Sequence, residues 1–254
     1  MRKILNKVLS PFGYEIAKAA PDAFRQQQLL LETVAKPTIF DVGAHSGDIS
    51  RIYRRLIPSA LIYAFEPFPE SCQTLKTSFH GDGKMHAFQI AISDRTGKMK
   101  LNANLSAATN SLLATDAAGA EFWGQGLLET TGQIEVETIS LDHFCSREGI
   151  EIVDLLKLDI QGAEFLALQG GETLLEDQRI KLVYTEVIMM PTYEGQHKFH
   201  EICQLMDRKG YDLFNMFNFV SRGGMLLQAD VLFIGRTFRK QLNLFTPDQT
   251  RITR

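Results

Sequence analysis

Asp41, Gly43 and Gly47 form the pattern Asp-x-Gly-x-x-x-Gly, which starts inside the largely β-branched and apolar run Thr38–Val42. Behind the second glycine, Ile49, Ile52, Tyr53, Leu56 and Ile57 recur on one helical face until Pro58. A strand, a glycine turn and a helix in that order bring bare backbone and free helix N–H groups to a strand's carboxyl end. Open α/β sheets bind ligands there, at the switch point of strand order. A dinucleotide site would show G-x-G-x-x-G. Here two glycines follow an acid, which would repel a pyrophosphate but suits a ligand carrying a cationic amino group. Asp41, Gly43, Ala44, His45 and Gly47 are therefore the first candidates to hold a ligand. A tight βα turn with no ligand at all would use the same two glycines.

Glu66-Pro67 ends the next apolar run, Ala60–Phe65, where a Rossmann fold places a ribose-binding acid. A carboxylate there accepts charge-assisted bonds from both ribose hydroxyls, although a solvated strand-end glutamate would look the same. Ser93 and Asp94 close a third strand, where an adenine would lie, and an Asx-turn accounts for Asp94 nearly as well. Lys157, inside the apolar strand Val153–Leu158, is costly unless paired. Glu186, near the end of the strand Ile180–Ile188, is the expected partner. Asp159 emerges at the carboxyl edge towards Gly43. Asp159 is thus the first candidate for a general base and Glu186 the second, with His197 and His200 also placed to reach the site.

These groups need elements to position them. A helix over residues 23–34 leads into the first strand. Phe68, Cys72, Leu75 and Phe79 mark a helix after the second strand, and residues 85–92 read as the third strand. Residues 98–101 add a hairpin arm, and Ile134, Val136 and Thr138 alternate as a half-exposed strand. Residues 163–176 read as one helix, and Phe199, Ile202, Cys203 and Met206 as another. Residues 211–216 and 231–235 are the last strands, joined through Gly223-Gly224 with no helix between them, so they pair antiparallel. Alternating strands and helices otherwise give a parallel sheet with right-handed crossovers. Residues 102–131 break the rhythm and hold the only tryptophan, so they read as a substrate loop or lid, or as a partly helical surface insertion. Asn110, Ser111 and Trp123 in that segment are the candidates for touching an acceptor.

The first turn is similar to the cofactor loop of class I S-adenosylmethionine-dependent methyltransferases. With the later pieces in view, the chain resembles the FkbM family of methyltransferases. The resemblance rests on Phe40–Gly47, Phe65-Glu66-Pro67, Ala91–Asp94, Asn110-Ser111-Leu112, Lys157–Glu164 and Glu186, in the family's order over residues 38–235. Two departures stand out. The family more often has asparagine near Ser46, and Val-Glu where this chain has Ile160-Gln161. The resemblance implies a single Rossmann-like domain over residues 38–236 with a mostly parallel seven-stranded sheet, an antiparallel edge hairpin and helices on both faces. Residues 1–37 would be a helical extension and 237–254 a tail. It also implies S-adenosylmethionine as cofactor and O-methylation of a small-molecule or sugar hydroxyl. Some O-methyltransferases hold magnesium on carboxylates after the fourth and fifth strands, but Val187–Met190 offers no Asp-Asn pair, so no metal is expected. The alternatives are a nucleotide-dependent oxidoreductase or epimerase on a similar fold, or a cofactor-binding scaffold without catalysis.

Composition narrows the partners. A chain of 254 residues with 44% hydrophobic content suits one α/β domain with extensions. A net charge of −3 gives nucleic acid no electrostatic support. Three scattered cysteines (Cys72, Cys145, Cys203) form no C-x-x-C pair, which points to a reducing compartment and a cytoplasmic protein. No apolar run is long enough to span a bilayer. Residues 1–9 mix Arg2, Lys3 and Lys7 with apolar side chains, the pattern of a helix docked on the domain or of a weak interfacial helix on anionic lipid.

Overall fold

The computed structural model of the protein describes residues 22–124 and 126–244. The helix expected over residues 1–9 and the tail beyond residue 244 lie outside the described residues. Helix α1 (Ala23–Leu30) is capped by Asp22, whose carboxylate accepts the Phe24 N–H. The chain then runs β1 (Thr38–Val42), α2 (Asp48–Leu56), β2 (Leu61–Phe65), α3 (Pro69–Ser78), β3 (Met85–Phe88), β4 (Ala91–Ile92) and β5 (Gly97–Asn104). Next come α4 (Gly119–Trp123), β6 (Thr130–Ile139), α5 (Leu141–Glu148), β7 (Val153–Leu158), α6 (Glu164–Gln169), α7 (Glu172–Glu176) and β8 (Ile180–Ile188). Helix α8 (Phe199–Arg208), strands β9 (Tyr211–Arg222) and β10 (Met225–Gly235), and α9 (Arg236–Gln241) finish it.

The expected seven-stranded sheet is present, in the order β3-β2-β1-β7-β8-β10-β9. Strands β3, β2, β1, β7 and β8 are parallel, and β10 is antiparallel to both β8 and β9. Order reverses between β1 and β7, so a crevice opens at their carboxyl ends. Every residue of β7 is buried, as a central strand covered on both faces requires. One face packs Leu141 and Phe144 of α5, Leu168 of α6, Leu175 of α7 and Met206 of α8 against the sheet. The Phe144 ring meets Phe65 at 4.7 Å, Phe88 at 5.1 Å and Phe40 at 5.6 Å, edge to face in each case. The other face is covered by Leu30 of α1, Tyr53 of α2, Leu75 of α3 and Phe238 of α9.

Several elements depart from the expected ones. The third strand breaks after Phe88, because β4 leaves the main sheet to pair with β6 in a second sheet of order β4-β6-β5. The hairpin arm is longer than its sequence signal and runs from Gly97 to Asn104 against β6. The single helix expected over 163–176 is two, α6 and α7, divided at Gly170-Gly171, and a β-carbon at Gly170 would come within 2.0 Å of the Ser93 carbonyl oxygen. Helix α1 is shorter than expected. Its buried Gln27 accepts the Tyr53 hydroxyl at 2.8 Å, so the described part of the extension belongs to the core. Phe238 of α9 is likewise 5% exposed, which carries the core past residue 236.

Candidate active site

The turn after β1 is built from backbone. Gly43 (φ +74°), His45 (φ +48°) and Gly47 (φ +89°) are all left-handed. The amides of Gly43 and Ala44 both donate to the Phe65 carbonyl at 3.0 Å. A β-carbon at Gly43 would lie 1.9 Å from the Asp159 carbonyl oxygen, so the close approach here is to the β7 turn. Gly47 serves packing, since its β-carbon would strike Leu75 and Phe79.

Beneath this turn lies a buried ion pair. Lys157 Nζ is 2.9 Å from Asp41 Oδ1 and donates to the carbonyls of Gly43 (2.9 Å) and Val42 (3.2 Å). Asp41 Oδ2 accepts the Ser50 hydroxyl at 2.6 Å. Burial lowers the Lys157 ammonium, but the Asp41, Asp159 and Glu186 carboxylates together outweigh it and raise it. The expected Lys157–Glu186 pair is therefore replaced by Lys157–Asp41. Register explains the exchange: Asp41 faces Lys157 directly on β1, whereas its counterpart on β8 is Tyr184. Asp41 is wholly buried in this pair and borders no open space, so it is not available to a ligand's amino group.

A cleft opens above, with about 940 Å³ of empty space including its mouth. Gly43, Ala44, His45, Glu66 and Pro67 border one side, Ile90, Ala91 and Ile92 another, and Asn110, Ser111 and Leu112 roof it. Asp159 and Gln161 close the β7 end. Glu66 is 7% exposed, and its carboxylate accepts the backbone N–H groups of His45 and Phe68, each at 2.8 Å. Burial raises its pKa, and those two N–H groups pull it back.

Asp159 and Glu186 differ in setting. The Asp159 side chain is 43% exposed, with Lys157 Nζ 3.9 Å away. Glu186 is buried and off this cleft, accepting from Gln161 Nε2 at 2.9 Å and from the Gln228 side chain. Burial raises its pKa well above the usual value, and Asp159, Glu164 and Asp230 add to the rise. Glu164, 4% exposed, accepts the Ile160 N–H at 2.8 Å and so fixes the turn between Asp159 and α6.

Other candidates fall away from the cleft. Ser93 is wholly buried and donates to Asp94, whose carboxylate faces Arg95 at 3.9 Å. The wall expected to be polar is thus the apolar Ile90–Ile92. Trp123 donates its indole N–H to Thr192 at 2.8 Å and packs on Leu128, Ile188 and Tyr193, which makes it a prop of the roof. The His197 ring stacks on Phe165 with centroids 3.6 Å apart, and His200 is exposed on α8. Gln161, Glu164 and the Ile90–Ile92 wall had no assigned role in the sequence. The only signal for the first two was the polar run interrupting apolar β7 and α6. Among the described residues no group of three or more His, Cys, Asp or Glu side chains is arranged to hold a metal ion.

The sheet order, the glycine turn and the acid at the end of β2 define a class I methyltransferase. Residues 41–213 match the model of the methyltransferase FkbM domain, and the chain belongs to that family of S-adenosylmethionine-dependent enzymes. It is 31% identical to the 2-O-methyltransferase NoeI of Sinorhizobium fredii over 80% of this chain and 84% of that one. It is 27% identical to the 31-O-demethyl-FK506 methyltransferase FkbM of Streptomyces tacrolimicus over 59% of this chain and 64% of that one. Among solved structures, an rRNA methylase from Streptococcus thermophilus matches with a TM-score of 0.47 and 10% identity, over 86% of this chain and 99% of that one. The oxidoreductase or epimerase reading is left without support. No described helix is long and apolar enough to cross a membrane.

The residues of the cleft fit the cofactor. A buried carboxylate, a turn of close-packed backbone and an apolar wall suit a ribose, an amino-acid tail and an adenine respectively. The side-chain nitrogen of Asn110, buried in the roof, has no hydrogen-bond partner among the described residues.

Proposed function

We propose that this chain O-methylates a hydroxyl of a sugar, glycan or other small molecule, with Asp159 as the general base. The cofactor supplies an activated methyl group. The protein must align a hydroxyl with it, exclude water and take the hydroxyl proton. In this reading Glu66 accepts from the ribose hydroxyls, Ile90–Ile92 flank the adenine, and Asn110 donates to an acceptor atom of the bound pair. The observation that carries the reading is the setting of Asp159. Its carboxylate is open to the same cleft as Glu66, with Lys157 Nζ 3.9 Å away. Glu186 suits the role less, because its buried carboxyl favours the protonated state. NoeI, named a 2-O-methyltransferase, supports a hydroxyl as the acceptor.

The test is methyl transfer from labelled cofactor to a panel of saccharides and hydroxylated small molecules, with the product's linkage determined. Asp159→Asn keeps the shape but not the proton acceptor, and should lower kcat by about 10²–10⁴. Cofactor affinity should change much less, and activity should persist in EDTA. A near-normal kcat at saturating substrates removes Asp159 as the base.

A further inference from the structure

Gln161 lies between the two carboxylates and the roof, in a left-handed conformation (φ +57°) that a non-glycine residue rarely adopts. Its Nε2 donates to Asp159 Oδ1 at 3.1 Å and to Glu186 Oε2 at 2.9 Å. Its Oε1 is 2.9 Å from the Tyr193 hydroxyl, and its main-chain carbonyl accepts the Ser111 hydroxyl at 2.7 Å. The opposite amide orientation would set its oxygen against two carboxylates, so this one is fixed by its partners. Both amide hydrogens are thus spent on the two acids, and its two oxygens face the roof and the loop after β8.

We propose that Gln161 is a positioning residue, which holds the Asp159 and Glu186 side chains on one neutral donor and ties both to the roof at Ser111. The inference rests on the reading of Asp159 as base. A lysine or arginine at this point would neutralise the acids, and another acid would repel them. An amide fixes their separation without changing their charge. The groups facing Glu186 are otherwise mostly acidic: Asp159 at the end of β7, Glu164 on α6 and Asp230 on β10, with Lys157 opposing them and the Tyr193 phenol near. Removing the amide leaves the charged form of Glu186 with one donor fewer, which raises its midpoint further. It also cuts the bond from the Tyr193 hydroxyl to the side chain, while the main-chain bond to Ser111 stays.

The test uses Gln161→Met, which has similar length and no donor, in the full-length protein. Carbon-13 NMR of the Glu186 carboxyl should show its midpoint rising by about one pH unit. Hydrogen exchange at residues 107–113 should stay near that of the wild type, because the Ser111 bond is to the main chain. Ser111→Ala and Tyr193→Phe cut only the outer bonds, and should quicken exchange while leaving the Glu186 midpoint near that of the wild type. These variants keep the test open if Gln161→Met fails to fold. An unchanged midpoint in folded Gln161→Met, or unchanged exchange in both Ser111→Ala and Tyr193→Phe, overturns the proposal. None of these readouts needs turnover, so a normal kcat for Asp159→Asn would sink the base assignment and leave this result standing.

Discussion

The turns after β1 and β7 face each other across the crevice and are made by opposite means. Both place a non-glycine residue in the left-handed region, His45 in one and Gln161 in the other. The β1 turn offers backbone: its amides bond to Phe65 and Glu66, and its side chains contribute little. The β7 turn offers side chains, with Asp159, Gln161 and Glu164 each aimed at a different partner. Lys157 joins them from below, bonded to two β1-turn carbonyls and to Asp41 while lying 3.9 Å from Asp159. A turn made of backbone suits a ligand of fixed shape, such as a cofactor shared by a family. A turn made of side chains can change with the chemistry it must perform.

Breaking the shared foundation should have the largest effect. Lys157→Met leaves Asp41 as a buried, uncompensated anion, a change that costs about 3–5 kcal/mol. Replacing both, as Asp41→Asn with Lys157→Met, removes the stranded charge and should cost less than Lys157→Met alone. Denaturant unfolding of the two single variants and the double variant measures this. A double variant at the sum of the singles would mean that the pair does not couple the turns.

The β7 turn alone should carry a pH signature. The buried Glu164 carboxyl is pushed up to about 7, first by burial and then by Asp159, while the backbone N–H groups of Glu164, Ile160 and Gly162 pull it down. Its folded pKa therefore exceeds the unfolded value. Between the two, the folded state holds a proton that the unfolded state has lost. Its stabilising contribution is complete below the ordinary glutamate range and is lost as pH rises towards 7. One such group gives a slope of up to about 1.4 kcal/mol per pH unit. Glu164→Gln should flatten the fall in stability over that window, as read by unfolding at successive pH values. An unaltered slope would assign the effect to Glu186 or Asp230, whose carboxyls are raised as well.

The contrast between the turns also decides what was legible in the sequence. Backbone turns announce themselves through glycine spacing, so β1, its turn, α2 and Glu66 could be read directly. Side-chain networks depend on which strands become neighbours. Lys157 plainly needed a partner, but β7 has β1 on one side and β8 on the other, and only the register selects Asp41 over Glu186. The stretch Phe88–Ile92, apolar apart from Gln89, gave no hint that it divides between two sheets. Gly170 answers a tertiary need, the close approach of the Ser93 carbonyl, which the helix pattern alone does not show. Helix α5 went unread although its caps were visible, with Ser140 accepting the His143 N–H and Gly149 left-handed at its end. The β9–β10 hairpin reaches further than expected, with an outer half that is exposed although it carries Phe219, Val220 and Met225.

The smallest effect should come from the backbone turn's one contributing acid, and it sharpens the comparison most. Glu66→Gln keeps the size of the side chain but ends its charge. Charge-assisted bonds of the kind it would make to a ribose contribute about 1.5–3 kcal/mol, so adenosylhomocysteine should bind roughly tenfold to a hundredfold more weakly. The variant also disturbs the turn, because the wild-type carboxylate accepts from both His45 and Phe68 and an amide has one oxygen. Binding and stability must therefore be read separately. Glu66→Asp keeps the charge but draws it back, and should lose affinity with the turn's bonds lengthened. If Glu66→Gln unfolds at lower denaturant but, where folded, titrates with adenosylhomocysteine like the wild type, Glu66 is a brace for the β1 turn. Weakened binding with stability nearly intact makes it a ligand contact, and the backbone turn then borrows its single charge for the cofactor. The pH dependence separates the cases again. Burial raises the Glu66 carboxyl, so wild-type affinity should fall as pH drops through that raised midpoint, and Glu66→Gln should show no such fall.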